Sequence, residues 1–322
     1  MRRRRLCAVL TRYNRIQAAN KEDNPMWSAI SRLLSEQFGD ADITQRHELP
    51  GGDVHPAWLI RYGEQDVFVK CNSRDKVSLF SWEADQLALL RRTQTVRVPE
   101  VYGVGSDRDY SFLLLEYIKP QPLDAHSALQ LGQQLAHLHQ WSEQPQFGLD
   151  FDNNLTTTPQ PNSWLRRWSV FFAEQRIGWQ LQIAAEKGIL YGNAELIVDC
   201  VQRTLASHHP QPSLLHGDLW PANCAASQNG PWIFDPACYW GDRECDLAML
   251  SWFNDLPREI FDGYNQVWPL PDGFSQRQPV YQLYYLLNRA NVFGGNWLGA
   301  AQFAVGQLLD DDALAAGQAK PA

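Results

Sequence analysis

Apolar residues Trp27, Ile30, Leu33, Leu34 and Phe38 recur at the three-and-four spacing of one helix face and stop at Gly39, predicting a helix from Met26 with a glycine cap. The period then changes. Ala57-Trp58-Leu59-Ile60, Val67-Phe68-Val69-Lys70, Val98 to Gly103 and Ser111 to Tyr117 are short apolar runs separated by Gly, Pro and Asp, which predict an antiparallel sheet. One helix interrupts them, carrying Leu79, Phe80, Leu87 and Leu90. Beyond Pro120 and Pro122 the helical period returns at Leu129, Leu131, Leu135 and Leu138, and again through Tyr281 to Asn288 and at Leu308. A ring-rich stripe at Trp164, Trp168, Phe171, Phe172 and Trp179 reads as core. Strands first and helices after predict an α+β chain of two lobes, with a small β-rich lobe at 26–118, a larger helical lobe at 119–312 and a tail at 313–322. Residues 1–25 open on Met-Arg-Arg-Arg-Arg and lack an apolar face. They are expected to be a disordered extension, or to precede a true start at Met26.

Composition narrows the class without choosing a function. With 44% hydrophobic and 20% charged residues over 322 positions, the chain can bury a large core. A net charge of -8 argues against nucleic acid or an anionic membrane as partner, and no apolar run approaches the ~20 residues of a membrane span. Cys7, Cys71, Cys200, Cys224, Cys238 and Cys245 form no Cys-x-x-Cys pair, so reduced, buried thiols in a cytoplasmic protein are expected.

Chemistry enters with residues whose placement is costly unless they have a role. Lys70 ends an apolar strand, where an ammonium needs an anion, and Glu83 on the following helix is its expected partner, with Asp85 as the alternative. Gly51-Gly52 lies between two predicted strands, where backbone N–H groups can approach a phosphate with no Cβ in the way. The backbone from Glu116 to Ile118, before the prolines, is expected to be the interlobe hinge and to hydrogen-bond an adenine.

The densest signal is His216-Gly217-Asp218-Leu219-Trp220-Pro221-Ala222-Asn223, followed by Ile233-Phe234-Asp235. An Asp, an Asn five positions on, and an Asp ending an apolar strand is an arrangement in which one carboxylate orients an attacking hydroxyl and the other two residues hold Mg²⁺. Asn229-Gly230 is expected to supply the positive φ angles of a tight hairpin that returns Asp235 to Asn223. Protein kinases carry Arg where Gly217 stands and an Ala-Pro-Glu anchor beyond; neither is present, and Glu244 and Asp246 follow with little room for an activation segment. A phosphotransferase for small molecules, using ATP and Mg²⁺, is the expectation.

His216 to Trp220, Asp235-Pro236-Ala237-Cys238-Tyr239, Gly241 to Ala248, Gln160-Pro161-Asn162 with Phe171-Phe172 and Arg176, and Tyr281 to Tyr284 with Phe293-Gly294 together resemble the fructosamine kinase (ketosamine 3-kinase) family, a branch of the aminoglycoside phosphotransferase-like, protein-kinase-like fold. The resemblance implies ATP-dependent phosphorylation of the 3-hydroxyl of ketosamines, free or on glycated lysines of proteins, leading to deglycation. It implies Asp218 as catalytic base, Asn223 and Asp235 as Mg²⁺ ligands and Lys70 on the nucleotide phosphates. It places Trp220, Gln160 and Asn162 at the sugar, with His216, Glu244 and Asp246 supporting them from behind. Two departures stand out: Pro221-Ala222 stiffens the loop after Trp220, and Arg166-Arg167 replaces an acid near the expected substrate side. Alternatives are a kinase of an aminoglycoside, choline or another sugar derivative, and a catalytically dead ATP-binding regulator.

Overall fold

The computed structural model describes residues 25–50, 55–253, 256–315 and 317. The chain divides into two compact units, one running through Leu89 and resuming at Val98–Lys119, the other formed by Leu90–Arg97 and the chain from Pro120 onward. The short segment Leu90–Arg97 thus crosses into the helical unit, which periodicity alone did not suggest.

In the first unit, helix α1 (Pro25–Phe38) begins on a proline, whose fixed φ suits a first helical turn, and ends at Gly39 with φ +81°. Strands β1 (Ile43–Leu49), β2 (Ala57–Tyr62), β3 (Gln65–Ser73), β4 (Val101–Ser106) and β5 (Tyr110–Glu116) make one antiparallel sheet in the order β1-β2-β3-β5-β4. Val67, Val69 and Cys71 alternate onto the face that packs with Trp27, Ile30 and Leu34 of α1, beside Trp58 and Phe112. Each such burial contributes ~1.5–3 kcal/mol. Alternation therefore sends Lys70 to the opposite face. Helix α2 (Val77–Arg92) connects β3 to β4.

The second unit is mainly helical. Helix α3 (Ala125–Gln140) starts at a capping box in which Asp124 accepts from the Ser127 N–H and the Ser127 hydroxyl accepts from the Asp124 N–H. The polar segment 150–162 holds a two-stranded ribbon, β6 (Asn153–Leu155) and β7 (Thr158–Gln160). Helix α4 (168–186) carries the aromatic stripe, begins at Trp168 rather than Trp164, and is wound as a π-helix over Phe172–Gly178. Helix α5 (Ala194–Thr204) follows. Strand β8 (Ser213–Leu215) pairs with β11 (Tyr239–Gly241), and between them β9 (Cys224–Ser227) and β10 (Gly230–Ile233) form a hairpin. Helices α6 (Glu244–Leu250), α7 (Glu259–Val267), α8 (Phe274–Phe293) and α9 (Asn296–Ala315) complete the unit. Gly132 of α3 and Gly263 of α7 let those two helices touch, since a Cβ at either would lie 1.9 or 2.0 Å from a carbonyl oxygen of the other helix. Among the described residues, no helix is long and apolar enough to cross a membrane.

Candidate active site

Lys70 is nearly buried, and its ammonium lies 2.6 Å from Glu83 Oε1. The ion pair follows from the elements: Lys70 faces away from the α1 core, and Glu83 is two turns into the helix that β3 feeds. The expected pairing partner is thus Glu83, while Asp85 is exposed. Gly51 and Gly52 lie outside the described residues. Glu116 does not offer its N–H to a ligand, because that group donates to the Glu100 carbonyl at 2.8 Å. Tyr117 and Ile118 make no backbone hydrogen bond among the described residues, so the open donor and acceptor groups of this stretch begin one residue later than expected.

In the second unit the loop from His216 to Asn223 is tied from behind by one carboxylate. Asp246 of α6 accepts from the N–H groups of His216 at 2.8 Å and Gly217 at 2.9 Å, and is bonded by His139 Nε2 at 3.2 Å. Burial pushes the Asp246 carboxyl up, but the hydrogen bonds from His139 and the Gly217 N–H outweigh it and hold the group below the usual carboxylate range. His139 is fully buried and bonds Tyr264 as well. His216 is also fully buried; its Nε2 donates to the Phe234 carbonyl and its Nδ1 accepts from the Asp218 N–H, which requires the neutral ring. Desolvation lowers its pKa in the same sense.

Gly217 has a positive φ of +82°, and a Cβ there would lie 2.0 Å from the Ala237 carbonyl oxygen. Glycine at this position is therefore demanded by the backbone that crosses it, where Ala237 N–H donates to His216 O at 2.8 Å. The hairpin behaves as a spacer, with one correction. Gly230 has φ +106°, whereas Asn229 is not among the positive-φ residues, so the glycine alone supplies the left-handed turn. Ile233 pairs with Cys224, and Phe234 N–H donates to Asn223 O at 2.9 Å, which sets Asp235 beside Asn223.

The three polar groups form one cluster. Asn223 Nδ2 donates to the Asp218 carbonyl at 2.8 Å and to Asp218 Oδ2 at 3.3 Å, fixing the amide so that its oxygen points away from Asp218. Asp235 is exposed and holds φ +53°, a left-handed conformation that costs an Asp ~1 kcal/mol. Asp218 is half-buried, and desolvation pushes its carboxyl up to about 7, with Arg289 opposing the rise and Asp235 adding to it.

Two expected sugar contacts lie elsewhere. Gln160 and Asn162 are fully buried, and their amides are committed to protein. Gln160 donates to Asn153 and to the Ala237 carbonyl and accepts from the Tyr284 hydroxyl at 2.6 Å. Asn162 donates to Asn153 and the Phe151 carbonyl and accepts from Arg176 at 2.7 Å. They brace the backbone at Ala237 and the buried Arg176, and no sugar can reach them as they stand. Glu244 likewise does not touch the loop: both its oxygens take Arg277, at 2.6 and 2.8 Å. Trp220 is half-buried and open enough to face a ligand, with Phe253 at 6.1 Å between ring centroids. Sequence reading passed over Arg289, whose guanidinium lies 4.8 Å from the Trp220 ring centroid. The signal was present, since a guanidinium two residues beyond the run Tyr284-Tyr285-Leu286-Leu287 poses the same problem as Lys70.

A carboxylate with raised proton affinity, oriented by an amide and neighboured by a second carboxylate, can take a proton from an alcohol while oxygen ligands hold a cation. The fructosamine kinase family matches this sequence over residues 26–311. The chain belongs to the fructosamine kinase family. It is 66% identical over 284 residues, 88% of this chain and 99% of the relative, to the protein named Probable ketoamine kinase YniA of Escherichia coli O157:H7. It is 48% identical over 286 residues, 88% of this chain and 99% of the relative, to a protein of Vibrio vulnificus also named a probable ketoamine kinase. A crystal structure from Haemophilus somnus 129PT, assigned as a fructosamine-3-kinase, superposes with TM-score 0.84 at 44% identity, covering 88% of this chain and 97% of the other. A choline kinase from Streptococcus pneumoniae superposes with TM-score 0.61 at 15% identity, covering 89% and 99%, which speaks to the fold alone. The fold is thus the two-lobed α+β fold of aminoglycoside phosphotransferase-like kinases. As a member of this family the chain is an ATP-using phosphotransferase with an alcohol as acceptor.

Proposed function

We propose that this kinase phosphorylates the 3-hydroxyl of ketosamines, on small amines or on glycated lysines of proteins, and that this starts their deglycation. The observation that carries the chemistry is the Asp218–Asn223 pair set beside Asp235; family membership carries the substrate class. Asp218 accepts the proton of the attacking hydroxyl as its oxygen bonds the γ-phosphorus and ADP departs. Asn223 keeps Asp218 in place, and Trp220 offers an aromatic face against which the C–H side of a sugar stacks. Lys70, steadied by Glu83, is assigned to the nucleotide phosphates, and the open backbone at Tyr117 and Ile118 to the adenine. Asp246 and His216 hold the loop in shape.

A magnesium ion fits the donor set, because the Asn223 amide oxygen and the Asp235 carboxylate are hard oxygen ligands and the Asn223 Nδ2 bonds leave that oxygen turned outward. When bound, the ion would neutralise charge on the transferring phosphoryl group. Once C1 and C2 of the product enolise, the phosphate on C3 is a good leaving group, and hydrolysis of what remains frees the amine. The five described cysteines are all buried, in keeping with the cytoplasmic setting expected from the sequence.

The test offers ribulosyl- and fructosyl-amines with ATP and Mg²⁺. A 3-phosphate seen by NMR, followed by release of free amine on standing, is the expected result. Phosphorylation of choline or an aminoglycoside with neither ketosamine turned over would overturn it.

A further inference from the structure

Three arginines in the helical unit are buried or partly buried, and each is matched to oxygen. Arg176 donates to the Pro161 carbonyl and Asn162. Arg243 donates to the carbonyls of Trp268 and Pro269, and Arg277 grips Glu244 with two nitrogens. Arg289 is half-buried as well, yet it makes no hydrogen bond or ion pair with any described residue. Its guanidinium is held instead between aromatic faces, 4.8 Å from the Trp220 ring centroid and 5.5 Å from that of Trp297. Stacking fixes the plane of a guanidinium while leaving its in-plane N–H edge for a ligand, which is the edge that takes a carboxylate with two parallel bonds.

Its place in the site makes this edge relevant. Trp220 follows Asp218 by two residues, and Arg289 is near enough to Asp218 to affect its charge. The rings around it, Trp220, Phe253, Trp252 and Trp297, form a chain with centroids 5.8 to 6.1 Å apart, and all are partly open. Around an acceptor bound here, Asp218 and Asp235 supply negative charge and Arg289 supplies positive charge a short distance away. A ligand with an ammonium near the reacting sugar and an anion beyond it matches both signs.

We propose that Arg289 selects ketosamines whose amine part bears a carboxylate, the adducts of free amino acids, by pairing with that carboxylate at the Trp220 face. This rests on the ketosamine reading above. In such an adduct the secondary ammonium and the carboxylate are separated by one carbon, whereas a glycated lysine side chain in a protein carries no carboxylate near its nitrogen. A phosphate on the sugar is the other source of an anion. Phosphate sites ordinarily gather more than one cation or a run of N–H groups, whereas Arg289 offers a single planar fork beside the Trp220 ring, which suits a carboxylate.

The experiment compares fructosyl-glycine, fructosyl-glycinamide and fructosyl-glycinamide 6-phosphate as acceptors for the wild-type enzyme and for Arg289→Gln and Arg289→Lys, with thermal melts as a folding control. Wild type is expected to favour the carboxylate over the amide by about 10- to 100-fold in kcat/KM, carried mainly by KM, because a charge-assisted bidentate pair is lost in the amide. Arg289→Gln should bring that ratio close to one, and Arg289→Lys should restore part of it. Equal use of carboxylate and amide by wild type overturns the proposal, as does a ratio unchanged in Arg289→Gln. Preference for the 6-phosphate over the carboxylate overturns the choice of anion. Wild type that phosphorylates none of the three, nor their ribulosyl counterparts, overturns the ketosamine reading itself, and this inference with it.

Discussion

Asp218 carries opposing demands at the scale of a single residue. Desolvation drives its carboxyl up to about 7, and Arg289 and the Asn223 amide pull it back. Asp218→Asn should lower kcat by ~10²–10⁴ while ATP still raises the melting temperature, because the proton acceptor is lost and the nucleotide is held elsewhere; near-normal turnover would remove Asp218 from the mechanism. The same shift gives a stability test in the free protein. An acid whose folded pKa is about 7, against an ordinary value near ~3.9, binds more protons folded than unfolded in that window, so stability falls as pH rises through it. Asp218→Asn abolishes this penalty, so the variant should melt above wild type at pH 8, with the gap narrowing toward pH 5. A gap that does not change with pH would contradict it. Lys70, Asp218, Asn223 and Asp235 were readable in the sequence because each is a polar type whose setting needs an explanation. Gln160 and Asn162 misled because amides beside a proline look exposed. Their burial depends on Arg176, Asn153 and Tyr284, partners that no local pattern connects to them.

At the scale of elements, the hairpin between Asn223 and Asp235 was legible because Gly230 and the apolar runs on either side set its length. The β6–β7 ribbon was not, since three-residue strands rich in Asn and Thr carry no period; nor was the π-wound turn of α4, the stretch in which Arg176 lodges against Tyr239, 3.9 Å from the ring centroid, because nothing in the local spacing marks it. That lodging predicts how Asn162 behaves. Asn162→Ala leaves a buried guanidinium short of an oxygen, and should cost about 2 kcal/mol or more, roughly 4–8 °C in Tm, with KM for the sugar little changed. A raised KM at unchanged Tm would return Asn162 to the sugar site. Gly217→Ala should be worse, because the added Cβ meets the Ala237 carbonyl oxygen and the residue must still hold φ +82°. A loss of more than about 2 kcal/mol is expected in denaturant unfolding, together with lost activity; wild-type stability would mean that the two backbones can separate freely.

At the scale of the whole chain, the α+β order of strands then helices was visible in the change of hydrophobic period, but the passage of Leu90–Arg97 into the helical unit was not, because that segment is defined by what it packs against. The match to the family begins at residue 26, and α1 begins at Pro25 with Met26, Trp27, Ile30 and Leu34 buried against the sheet. These boundaries make a graded truncation informative. A chain starting at Pro25 keeps every described core residue, so its Tm and its turnover should equal those of the full chain within error. A chain starting at Arg32 loses Met26, Trp27 and Ile30 from the core over Trp58 and Val69. With each fully buried apolar side chain contributing ~1.5–3 kcal/mol, that cut removes as much as the whole stability of many domains, and the sheet-bearing unit should fail to fold. Lost activity in the first truncation would show that residues 1–24 serve the fold or the site. A fully active second truncation would show that α1 is dispensable, contrary to its burial against the sheet.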